Sequence, residues 1–280
     1  MEKIDTKKYL PFNCISPNLL KNPDFPDFPF LSGTGFFCYF PPYEYIFYVT
    51  AKHCLLKDSE IEIYEYLKVP YSNESFEEPP LAVVFSEYFG GKDEENLNGY
   101  EDILVFVVDN NVNKGELKIL KKRAVALSHQ DDVDEVITKL CNVNGNIRTI
   151  GFSQPSNINE ENNKSTLSEH EHTSITDVGN KKKLIMRPRS FYGKIKNNST
   201  FEHRYGFEET NWRDEEYRGF SGSPVISLVC EPHIYGGISM RIIGIMLTAT
   251  KSRGEFLSIN IATNFISGFI NRELSLSSSN

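Results

Sequence analysis

The sequence predicts an all-β fold, a barrel or sandwich with a helix near its C-terminal end. Three observations predict it. Short runs of aromatic and β-branched residues recur along the chain, turn-forming residues separate them, and strands do not alternate regularly with helices as βαβ units would require.

The elements follow in order. Gly35–Phe40 and Tyr45–Thr50 are rich in aromatic and β-branched residues and flank Pro41-Pro42, so they read as a hairpin with an irregular turn. Leu81–Phe85, Ile103–Val108 and Arg123–Leu127 continue the pattern. Ile147–Gly151, Val225–Val229, Ile242–Thr248 and Phe256–Ile261 supply the later strands. Two stretches carry helical spacing. In Asp131–Cys141, Val133, Val136, Ile137 and Leu140 share one face, with Asp131 or Asp132 as a candidate cap. In Asn264–Leu274, Phe265, Ile266, Phe269 and Ile270 do the same, and a Ser-rich tail expected to be disordered follows. Between 153 and 183 the chain is polar and reads as a mobile surface loop. His170 and His172 fall there and read as solvated, because a metal site needs more ligands held rigidly.

Composition excludes several function classes. The 280 residues carry a formal net charge of −8, which disfavours binding to nucleic acid or to anionic membranes, since phosphate contacts need clustered Lys and Arg. No apolar run is long enough to cross a bilayer, and Met1–Leu20 lacks the apolar core of a signal peptide. The five cysteines are odd in number and form no Cys-x-x-Cys pair. Together these features place the chain in the cytoplasm with free thiols.

Three local patterns carry chemistry. Tyr48-Val49-Thr50-Ala51-Lys52-His53-Cys54 runs a core strand straight into a histidine, which a general base needs for rigid placement. Gly99-Tyr100-Glu101-Asp102 opens the apolar run Ile103–Val108; an aspartate there is either a turn residue or a buried acceptor. Gly219-Phe220-Ser221-Gly222-Ser223-Pro224-Val225 allows a sharp turn that aims backbone N–H groups at one point, beside a candidate nucleophile.

In this order the three patterns resemble the chymotrypsin-like (trypsin-fold) serine peptidases, whose motifs are Thr-Ala-x-His-Cys, an Asp opening an apolar strand, and Gly-x-Ser-Gly-x-Pro. The Ser-Gly-Ser-Pro-Val form is most similar to bacterial glutamyl endopeptidases and related intracellular trypsin-like peptidases. The resemblance spans roughly Gly33 to Ile270. It implies two antiparallel six-stranded β-barrels: the first over 30–127 carrying His53 and Asp102, the second over 142–262 carrying Ser221 and the polar loop. It further implies an N-terminal extension over 1–29, a linker with a short helix over 128–141, and a helix and tail over 263–280. Ser221 would be the nucleophile, His53 the general base, Asp102 its orienting carboxylate, and the Gly219 and Ser221 amides the oxyanion hole. A polypeptide would be the substrate, with no cofactor or metal, and a regulatory or sensor protein would restrain the enzyme.

The resemblance also implies details specific to this chain. Cys38 and Cys54 match the family's disulfide beside the catalytic histidine, so the fold should bring them close, as a reduced pair in the cytoplasm. Phe220 stands where secreted members carry the Asp that pairs with a new N-terminus, so activation by that ion pair is impossible. The pocket floor would be Glu215, with Glu216 next to it, and the walls Leu247, Thr248, Ala249 and Gly254. An acidic floor would select Lys or Arg on the acyl side; the alternative is that 211–218 is a solvated loop. A protease-fold scaffold without turnover and a serine esterase are the competing functions.

Overall fold

The structure, a computed structural model, describes residues 12–20, 30–55, 67–71, 76–77, 82–90, 102–111, 114, 116–127, 133–152, 173–178, 181–186, 188–196, 202–209, 219–230, 238–249 and 252–278. Strand is the dominant element among the described residues, so the fold is all-β.

The N-terminal half forms one curled sheet. Its strands are β1 (Ile15–Leu20), β2 (Phe30–Tyr39), β3 (Ile46–Thr50), β4 (Leu67–Lys68), β6 (Phe85–Phe89) and β7 (Leu104–Val108), in the order β4-β1-β2-β3-β7-β6; β5 (Phe76–Glu77) lies elsewhere. A short helix, α1 (Leu117–Arg123), leads into β8 (Val125–Ala126), which pairs in parallel with the far end of β2. Beyond the ends of β4 and β6, Pro70 bridges Ala82 and the Val83 N–H donates to the Val69 carbonyl at 2.8 Å, which curls the sheet. Every residue of β3 and β7 is buried. One face of β3 meets the inner core through Tyr48, which packs against Phe37, Phe85 and Phe106. The other face is covered by a helix from the opposite end of the chain.

The C-terminal half is a closed antiparallel barrel. After the linker helix α2 (Val133–Asn142) come β9 (Asn146–Gly151), β10 (Thr173–Val178), β11 (Lys181–Met186), β12 (Arg189–Lys196), β13 (Arg204–Glu209), β14 (Pro224–Cys230), β15 (Ile238–Ala249), β16 (Arg253–Ser258) and the terminal helix α3 (Ile259–Ser278). The barrel runs β12-β13-β16-β15-β14-β9. Asp134 of α2 accepts hydrogen bonds from Ser258 at 2.8 Å and from Asn260 at 3.0 Å, fixing the linker to the barrel's last corner. Ser258 also accepts from the Asn260 N–H at 3.4 Å, a cap that turns the chain from strand to helix. Helix α3 then crosses to the first sheet. Phe269 packs edge-on against Tyr45 and Phe47 and meets Phe89, while Arg272 binds Glu87 at 2.7 and 2.8 Å.

The first sheet is a curled half-barrel, consistent with the two-barrel all-β fold, and β2 meets two partners along one edge: β1 along Phe30–Phe36 and β8 at Cys38 and Tyr39. Several expectations need correction. Residues 15–20 belong to no outlying extension. They form β1, wholly buried, and Pro17 fits because β4 pairs only with Leu19 and Leu20. The strand expected at Leu81–Phe85 starts at Phe85, and Arg123 ends a helix instead of starting a strand. The strand expected at Phe256–Ile261 gives way to helix after Ser258, and that helix continues through Ser278 into the tail expected to be disordered. Part of the stretch read as a polar loop is a hairpin: β10 pairs with β11, which pairs with β5.

Candidate active site

Strand register places the histidine beside the aspartate. β3 and β7 are antiparallel neighbours with Thr50 opposite Leu104. The residues following Thr50 therefore meet those preceding Leu104. After Ala51 the chain tightens into a single 3₁₀ turn, Lys52–Cys54, and the Lys52 N–H donates to the Asp102 carbonyl at 3.3 Å. The His53 N–H donates to Asp102 Oδ1 at 2.9 Å, and His53 Nδ1 lies 2.8 Å from Oδ2 and 3.0 Å from Oδ1. An ionised carboxylate can only accept, so Nδ1 carries a proton, and in the neutral ring the Nε2 lone pair is left for a reactant. Burial works against the charged imidazole. The hydrogen bond to Asp102, the interaction with the neighbouring Cys54 sulfur and the charge of Asp102 outweigh it, and the His53 pKa is raised to about 10.

The serine comes from the other barrel. Gly219 and Gly222 adopt φ of 93° and 86°, a region that disfavours side chains, and they bracket Phe220-Ser221 in a sharp turn before β14. The Gly222 N–H donates to the Met246 carbonyl at 2.7 Å, and the Met246 N–H donates to the Ser223 carbonyl at 2.8 Å, tying the turn to β15. The turn is pressed onto the strand end that bears the histidine: a Cβ on Gly222 would strike the Thr34 carbonyl, the Thr50 hydroxyl and the Ala51 nitrogen. The Ser221 carbonyl accepts from the Thr34 N–H at 2.9 Å and from the Cys54 thiol at 3.4 Å. His53, Asp102 and Ser221 thus converge on one junction between the sheet and the barrel. The Ser221 hydroxyl donates to the Leu247 carbonyl at 2.8 Å. Among the described residues, neither the Gly219 nor the Ser221 N–H has a hydrogen-bond acceptor, which leaves both available to an oxyanion.

Phe220 is buried, its ring 5.3 Å from that of Phe191. Apolar packing of Phe220 against Phe191 lies beneath the turn. Glu215 and Glu216 lie outside the described residues. Of the expected walls, Leu247 is buried, Thr248 exposed and Ala249 half-buried. Gly254 pairs with Phe207 across the β13–β16 ladder, and a Cβ there would strike the Phe207 ring.

The cysteine expectation also needs correction. Cys14, Cys38, Cys54 and Cys141 are free thiols, and Cys54 is not beside Cys38. The Cys54 sulfur lies against Gly33, where a Cβ would collide with it. Gly33 is five residues from Cys38 along β2, about 16 Å at strand rise, far beyond disulfide reach.

Sequence reasoning missed Thr34 and Asn18. Thr34 is fully buried; its hydroxyl donates to the Gly219 carbonyl at 2.7 Å and accepts from the Phe152 N–H at 2.9 Å. The available signal was Gly33-Thr34-Gly35, a polar residue between two glycines that permit close approach. Among the described residues, no group of three or more His, Cys, Asp or Glu is placed to share a metal ion, and no helix is long and apolar enough to cross a membrane. No family model matches the chain, and no curated protein matches it.

Proposed function

We propose that the chain is a serine endopeptidase. The observation that carries this reading is the convergence of an Asp102-oriented His53 with a glycine-bracketed Ser221 whose neighbouring amides are unclaimed. Past Met246 the edge of β15 facing Ser221 has no strand partner among the described residues, so a peptide can add there as an extra strand along Leu247–Ala249. Ser221 leaves the Leu247 carbonyl by rotation about χ1 and passes its proton to His53 Nε2 as its oxygen attacks the scissile carbonyl. The tetrahedral oxyanion is held by the Gly219 and Ser221 N–H groups. His53 then delivers the proton to the leaving amine, and water, deprotonated by His53, releases the acyl group and restores Ser221.

A preference for Lys or Arg on the acyl side would rest on Glu215, with Glu216 as the matched control, and Glu215→Gln would then depress cleavage of basic peptides alone. We place the enzyme in the cytoplasm, under restraint by a partner protein; the uncharged, buried Phe220 beneath the turn cannot form the ion pair with a new N-terminus that secreted members use. The hydroxyl's engagement by Leu247 favours one competing reading, a scaffold that keeps the fold without turnover. Cleavage of an unbiased peptide library, with Ser221→Ala as blank, separates the two. Cuts made by the parent and absent from the blank support the peptidase; no cuts, or the same cuts in both, contradict it.

A further inference from the structure

A chain of buried polar side chains runs from the core of the first sheet to the nucleophile turn. The Tyr48 hydroxyl donates to Asn18 Oδ1 at 2.7 Å, and Asn18 Nδ2 donates to the Thr50 hydroxyl at 2.8 Å. The Thr50 hydroxyl donates to the Thr34 carbonyl at 2.8 Å. Thr34 then holds the turn at two points, its N–H on the Ser221 carbonyl and its hydroxyl on the Gly219 carbonyl. Asn18, Thr34, Tyr48 and Thr50 are all at 0% exposure. Burying so many polar groups is unfavourable unless every one is satisfied, and such a network fixes geometry more than it adds stability.

Each carbonyl held by Thr34 lies one peptide group after an oxyanion amide, and the two together bracket the Ser221 N–H. The Gly219 carbonyl belongs to the peptide group just after the Gly219 N–H, and the Ser221 carbonyl to the one just after the Ser221 N–H. Fixing both carbonyls on the sheet side restrains the backbone from Gly219 through Ser221, and with it the direction of the Ser221 N–H and the seat of Gly219 beside it. Gly222, tolerated only without a side chain, presses the turn against the same residues.

We infer that Thr34 is a positioning residue for the oxyanion hole, braced by Thr50, Asn18 and Tyr48. The inference rests on the reading of Ser221 as nucleophile. Thr34→Val keeps the shape and the backbone N–H and removes only the hydroxyl; Thr34→Ser keeps the hydroxyl.

The test compares the parent, Thr34→Val, Thr34→Ser and Thr50→Val. It measures peptide hydrolysis and affinity for a peptide aldehyde, which forms a tetrahedral oxyanion on a serine. Fluorophosphonate titration normalises each to competent protein. Thr34→Val should lower kcat by about 10²-fold, as expected for misplacement near 1 Å, with KM little changed and aldehyde affinity falling in parallel. Thr34→Ser should restore most of the loss, and Thr50→Val should show a smaller loss of the same kind. Should Thr34→Val fail to fold, Thr50→Val carries the test alone. With an active parent, unchanged kcat and aldehyde affinity in the valine variants, a loss confined to KM, or no rescue by serine overturns the inference and leaves the peptidase reading standing. A parent that neither reacts with the fluorophosphonate nor cleaves peptides overturns both.

Discussion

The two halves of the molecule hold themselves together in different ways. The C-terminal barrel closes through backbone ladders, each strand paired on both sides. The N-terminal sheet has edges, and side chains secure them. Arg123 is the main fastening. The residue is only 9% exposed, and its guanidinium donates to the carbonyls of Asn13 and Ile15 at 2.8 Å each, and to those of Pro70 and Tyr71, while lying over the Phe37 ring. Burial lowers its pKa to about 10. The second fastening is α3, which leaves the closed barrel and covers the open sheet with Phe269 and Arg272. The closed half thus mounts the Ser221 turn, and the open half aligns His53 with Asp102 through the β3–β7 register.

The largest effect should come from the residues that join the halves chemically. Ser221→Ala or His53→Ala should lower kcat by on the order of 10⁴–10⁶-fold, and Asp102→Asn by about 10⁴-fold. The melting temperature of Ser221→Ala should change little, because that hydroxyl is not core, and His53→Ala and Asp102→Asn should lose only what their pair contributes to stability. Loss of activity accompanied by loss of fold would assign them a structural role instead.

The fastenings come next. Phe269→Ala removes a buried ring from three aromatic partners and should cost about 3–5 kcal/mol in urea unfolding. Arg123→Leu strands several buried carbonyls and should cost about 3 kcal/mol. Hydrogen exchange should then rise in β1 and β2 before it rises in β9 or β14. Equal loosening of both halves would contradict the contrast drawn between them.

Proton linkage gives a smaller, signed effect. The folded pKa of His53 is raised above its unfolded value, so its contribution to stability is fully present below about pH 6.5 and fades as pH climbs toward about 10. Catalysis needs the neutral ring. kcat/KM should therefore rise with pH along a limb above the usual histidine range, and Asp102→Asn should move that limb to lower pH. A limb that Asp102→Asn leaves in place would contradict the assigned hydrogen bond. The smallest effect belongs to Arg272→Ala, whose partly exposed pair with Glu87 should be worth about 1 kcal/mol or less.

The candidate site was more legible in the sequence than the fold around it, for a physical reason. His53, Asp102 and Ser221 each mark the end of an apolar strand, and strand ends announce themselves locally. Thr34 and Asn18 do not. Their partners are up to 185 residues away, and polar residues inside strands give no periodic signal. Helix α1 is short and rich in lysine, so its boundary with the following Val125–Ala126 strand was invisible. Gly254 is small for the sake of the Phe207 ring across the ladder, a partner that sequence spacing cannot reveal.

The central claim is that His53 and Asp102 activate Ser221 as a nucleophile. Its most direct test is to treat the full chain with a fluorophosphonate and locate the adduct by peptide mass spectrometry. The account predicts a single adduct on the peptide bearing Ser221, absent in Ser221→Ala and in His53→Ala and strongly slowed in Asp102→Asn. No adduct in the parent, or the same labelling rate at Ser221 without His53, would contradict it.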